Sequence, residues 1–97
     1  MTERHFHLVG DADARTAIRI AEDLDREIRA CDDGLVIDCD GLTFMDSSGI
    51  GVLVRAREDL AGRGRLRIVN MPAAGRRAIE AVGLTEYLGL DREMTRR

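Results

Sequence analysis

Two adjacent serines, Ser47 and Ser48, stand between Asp46 and Gly49, where a strand-like run gives way to a helix-like one, and a second glycine, Gly51, follows. A serine there could be a nucleophile, a phosphate acceptor or a helix cap. The esterase elbow G-x-S-x-G needs glycine where Met45 stands, and a histidine later in the chain. His5 and His7 both precede the serines. A P-loop needs a lysine after its second glycine, and the chain contains none. Cys31 and Cys39 lack the spacing and the following histidine of a zinc site. No third ligand accompanies the His5–His7 pair. Neither a catalytic residue nor a metal or cofactor site is therefore expected, and the two cysteines read as buried free thiols.

Capping is the plainer chemistry. Asp46, Ser47 or Ser48 can each accept a hydrogen bond from the free N–H groups that begin a helix. One such residue suffices, and here there are three. Gly49 and Gly51 would leave the helix start bare, at some cost in helix stability, so that a partner could approach closely. On these residues alone, a functional surface and a simple cap both remain open.

At 97 residues the chain has room for a single domain, 1–97, with one core. Apolar residues make up 44% and charged residues 34%, the balance of a soluble globular protein. No apolar run approaches the roughly 20 residues that span a bilayer. The N-terminal MTERHFHL lacks the apolar stretch of a signal peptide. A cytoplasmic location without membrane attachment is the expectation. The net charge is −3, and all 15 basic residues are arginines scattered among acids. With Phe6, Phe44 and Tyr87 as the aromatics, the stacking surface of a nucleic-acid binder is missing, and no DNA or RNA partner is expected.

The elements that would position the serines follow from periodicity. Residues 4–9 read as a strand, broken by Gly10, Asp11, Ala12 and Asp13. Ala17, Ile20, Ala21, Leu24 and Ile28 recur at helical spacing, which predicts a helix over 15–31. Residues 35–39 form a β-branched run suited to a central strand, and 40–45 read as a loop. Ile50, Leu53, Val54, Leu60 and Ala61 predict a second helix over 48–61. A strand over 66–70, Pro72 at a helix start, and a C-terminal glycine at Gly83 complete a β-α-β-α-β-α order. That order implies an α/β domain with parallel pairings.

The run LVIDCDGLTFMDSSGIGVLVRA closely resembles the signature of the STAS domain family of anti-sigma factor antagonists. GDADARTA at 10–17 resembles its Gly-Glu-Leu-Asp-x-x-Thr-Ala segment, and NMPAAGRRAIEAVGL at 70–84 resembles its strand–Pro–helix–Gly-Leu ending. The resemblance implies a mixed β-sheet flanked by helices, and a non-enzymatic switch. An unphosphorylated antagonist binds an anti-sigma factor with serine kinase activity and so frees a sigma factor for transcription. Phosphorylation abolishes that binding, and a phosphoserine phosphatase restores it. The family's phosphoacceptor maps onto Ser47, and its neighbouring aspartates map onto Asp46 and Asp13.

Asp13, Asp46, Ser48, Gly49 and Gly51 are the expected partner-binding surface. Asp13 is equally readable as a cap of the first helix, and Ser48 chiefly as a cap of the second. Two departures stand out. The family's first strand is expected to be truncated here, leaving the edge formed by 4–9 open to weak self-association. Ala12 replaces a larger residue, which should loosen the first loop. The same fold also serves as a constitutive scaffold or adaptor in stress-signalling and lipid-transport complexes, and that is the alternative reading.

Overall fold

The computed structural model describes residues 3–90. Its elements are β1 (Arg4–His7), β2 (Gly10–Ala12), α1 (Ala17–Ala30), β3 (Gly34–Asp38), β4 (Leu42–Met45), α2 (Ser47–Leu60), β5 (Arg65–Val69) and α3 (Ala73–Ala81). The expected helices and strands fall within two residues of their predicted limits. Two short strands were not expected: Gly10–Ala12 had read as a break, and Leu42–Met45 lies within the expected 40–45 loop. Neither has the length or alternation that reveals a strand locally. Both exist because they pair with each other.

The strands form two parallel groups, β1-β3-β5 and β2-β4. The mixed sheet expected from the family resemblance is, among the described residues, parallel throughout. Each helix carries the chain back to the end where the next strand starts, so successive strands run the same way. β1 leads into β2, and β3 into β4, and the hydrogen bonds bridge the gaps. Leu8 N–H donates to Asp38 O and Gly10 N–H to Gly41 O, both at 2.9 Å. A register shift between Gly10 and Asp11 marks a bulge there, a bend that re-aims the strand end. On the described residues, β1 is an outer strand with most of its side chains exposed.

β3 is the centre. Leu35, Val36, Ile37 and Cys39 are buried although they alternate between the two faces of the sheet. α1 offers Ile20, Leu24 and Ile28 to the core, and α2 offers Ile50, Val52, Leu53, Ala56 and Leu60. α3 ends as its glycine predicts. Gly83, at φ +75°, donates to Glu80 O at 3.0 Å, and Leu84 N–H reaches Ile79 O at 3.1 Å. This is the paired-bond stop that a left-handed residue permits.

Both cysteines are buried free thiols. Burial, helped by the adjacent Asp38 charge, pushes the Cys39 thiol from 9.0 up to about 12. The folded protein thus holds a proton that the unfolded chain releases above pH 9. Stability from this group should be intact below pH 9 and fall as pH rises from 9 toward 12. Thermal unfolding of wild type and Cys39→Ala across that range checks it. The melting temperature of wild type should fall more steeply than that of the variant.

Candidate functional site

α2 starts where the β2–β4 ladder ends. Ala12 and Met45 are the last paired residues of that ladder, and the Asp46 N–H then donates to Ala12 O at 3.2 Å. Asp46 is extended and caps α2. Its Oδ1 accepts from Ser48 N–H at 2.8 Å and from Gly49 N–H at 3.4 Å. The cap is therefore Asp46, not Ser48, because the extended residue just before the helix aims its side chain at the next free N–H groups. Ser47 is exposed at the first helical position, and its hydroxyl has no hydrogen-bond partner among the described residues. Ser48 is half-buried behind it.

The two glycines have opposite surroundings. Gly49 is buried, and a Cβ on it would lie 2.5 Å from Ala12 O and 2.8 Å from Ala12 Cβ. Its expected place on the partner-facing surface is corrected accordingly. Gly49 is small because β2 passes over it. Ala12, expected to loosen this loop, is 1% exposed and closes against that glycine. Gly51 is exposed with open space around its Cα, as an approach surface would require.

Asp13 is buried at 8% exposure, and its bonds are local. Its Oδ1 accepts from Arg15 N–H at 3.0 Å and from Thr16 N–H at 3.3 Å, while Thr16 Oγ1 accepts from Asp13 N–H at 3.1 Å. The pair forms a reciprocal cap ahead of α1. Arg15 Nη2 lies 3.1 Å from Asp13 Oδ2. That bond, above all, holds the Asp13 carboxyl below the usual carboxylate range. Asp13 thus closes the turn ahead of α1, whose own N-cap, Thr16, makes no side-chain cap bond.

Sequence reasoning passed over three neighbours. Arg15 reaches back to within 3.8 Å of Asp11 Oδ2. Thr43 Oγ1 donates to Asp11 Oδ1 at 2.7 Å. Phe44, the register partner of Asp11, is 49% exposed. The pairing of β2 with β4 brings these together, and nothing local foretold it. Two surface grooves lie at the other end of α2, lined by Arg57, Leu66 and Tyr87 among others, and Ser47 is part of neither. The described residues hold no group of His, Cys, Asp or Glu able to bind a metal ion. No described helix is long and apolar enough to cross a membrane.

With this geometry in view, comparison with known proteins is decisive. The family model for the STAS domain matches residues 2–95. The chain belongs to the STAS domain family. A solved structure titled as the anti-sigma factor antagonist SpoIIAA in its unphosphorylated form is similar at 28% identity and a TM-score of 0.67. The match covers 95% of this chain and 90% of that one. A search of curated proteins finds no match. The fold of this chain is thus similar to that of the solved antagonist over nearly all of its length.

The contrast between the glycines is testable. Gly49→Ala forces a Cβ onto the β2 backbone and should lower stability. Gly51→Ala meets nothing and should raise stability by about 0.5–1 kcal/mol, through the lower entropy cost of fixing alanine in a helix. Denaturant unfolding of the two variants should shift in opposite directions.

Proposed function

We propose that this STAS domain is a non-enzymatic, cytoplasmic anti-sigma factor antagonist switched at Ser47. In its unphosphorylated form it binds an anti-sigma factor with serine kinase activity, and the sigma factor so released becomes available for transcription. The kinase then moves the γ-phosphoryl group of ATP to Ser47 Oγ. A P–O ester bond forms, ADP leaves, and the seryl proton passes to a base on the kinase. A phosphoserine phosphatase reverses the step. No cofactor, nucleic acid or membrane takes part.

The observation that carries this reading is the state of Ser47. It is an exposed hydroxyl at the head of α2, with no hydrogen-bond partner among the described residues. Asp46 already caps the helix, so Ser47 is free for another use. The likeness to an antagonist solved in its unphosphorylated form supports the same conclusion. Asp46, Ser48 and Gly51 border Ser47 in sequence and belong to the proposed contact surface.

A phosphate at Ser47 would carry about −1.5 to −2 charges. A helix N-terminus accepts such charge, because its free N–H groups and dipole point that way. The fold should survive while the surface changes. A partner fitted to a neutral serine would meet new bulk and charge beside Asp46. We expect Ser47→Ala to bind the partner and resist phosphorylation. Ser47→Asp should keep near-normal thermal stability yet lose about 2–4 kcal/mol of binding, roughly 30- to 1000-fold. Recovery of the partner from the native host, followed by calorimetry and phosphosite mapping, measures both. Phosphate on Ser48, or tight binding by Ser47→Asp, would overturn the assignment. Binding insensitive to any phosphorylation would mark a constitutive scaffold instead. Weak self-association through the open edge of β1 is part of the proposal, and concentration-dependent sedimentation reads it.

A further inference from the structure

β5 is an outer strand of the three-stranded group, on the side opposite β1. Two bonds fix which of its backbone groups β3 uses. Arg65 N–H donates to Asp33 O at 3.2 Å, and Cys39 N–H donates to Val69 O at 2.9 Å. Successive residues of a strand turn their N–H and C=O groups to opposite sides. Arg65, Arg67 and Val69 therefore bond toward β3, and Leu66 and Ile68 present theirs to the outer edge. Among the described residues no hydrogen bond is made to those outward groups.

This edge borders a groove lined by residues 64–68 and 86–89 together with Arg57 of α2, which lies 5.1 Å from the centroid of the Tyr87 ring. Side chains alternate across the strand. Leu66 and Ile68 join the core on the helix side, so Arg65 and Arg67 stand on the opposite face. Arginine thus flanks the edge from both faces. Arg65 is exposed and makes no ion pair among the described residues, while Arg67 lies 3.7 Å from Glu3. Glu86 is the acidic residue in the lining.

An open strand edge recruits extended chain, and charge beside it turns away segments of the same sign. We propose that the outer edge of β5 takes an extended acidic segment of another protein as an added strand. Its main chain bonds the outward groups of Leu66 and Ile68. Its alternate side chains place carboxylates by Arg65 and Arg67, and apolar groups by Leu66 and Tyr87. The β1 edge of a second copy does not fit, because it brings Arg4, His5 and His7. Ser47 lines no part of this groove, so the inference is independent of the phosphorylation switch.

The probe is a short synthetic peptide alternating glutamate and valine, titrated into the isotope-labelled full chain and followed by amide NMR. Shifts should centre on residues 64–68 and 86–89, and the Leu66 and Ile68 amides should become protected from hydrogen exchange. A lysine–valine peptide should not bind, and Arg65→Glu should weaken the acidic peptide about tenfold or more. N-methylation of alternate peptide residues, in one of its two registers, should abolish binding. Equal binding by both methylated forms would reduce the contact to loose charge attraction and overturn strand addition, as would the absence of shifts along β5. Slow exchange at Leu66 and Ile68 in the free protein would also overturn it, by showing the edge already filled by residues 91–97 or a second copy.

Discussion

The hydrogen bond from the Asp46 N–H to the Ala12 carbonyl, with Gly49 closed against the same residue, is the constraint on which the site depends. It joins two segments 34 positions apart in sequence. A side chain at Gly49 would push β2 away from α2 and break the ladder at its last rung. With the contact in place, the head of α2 and the end of the β2–β4 pair form one corner.

Electrostatics at that corner are lopsided. Asp46 caps α2, Asp11 and Asp13 lie on and just after β2, and Arg15 is the cation seen pairing with the latter two. The helix end itself supplies the remaining positive character through its N–H groups. Asp46 uses part of that capacity at Ser48 and Gly49. A neutral serine leaves this balance undisturbed, and a phosphate would add to the majority sign.

The core and the corner divide the work. Leu35, Ile37, Leu53, Leu60, Ile68 and Ile79 are essentially inaccessible and hold the sheet between its helices. None of them is in the turn that carries Ser47. α2 links the two regions. Its buried stripe anchors it against α1, β5 and β4, while Ser47 at its head stands at the surface. Side-chain identity in the stripe fixes where the serine is held, and the serine needs no core contact of its own.

Much of this was legible in the sequence, because it depends on neighbours. The spacing of Ile20, Leu24 and Ile28 prescribes one helix, the β-branched run at 35–39 the central strand, and Gly83 the stop after α3. DSSG in a strand–turn–helix setting pointed to the family and to Ser47 as the serine of interest. Other features were decided in three dimensions. Gly10–Ala12 and Leu42–Met45 are too short to declare themselves and become strands because each completes the other's hydrogen bonds. Gly49 resembled Gly51 in the sequence, yet one is buried under β2 and the other faces open space. Asp46 rather than Ser48 is the cap, because the backbone is extended at 46. Arg15 had no periodicity or motif to mark it. It lies between Asp11 and Asp13, where β2, paired with β4 over 10–12 and 42–45, turns toward α1, and long-range pairing leaves no local trace.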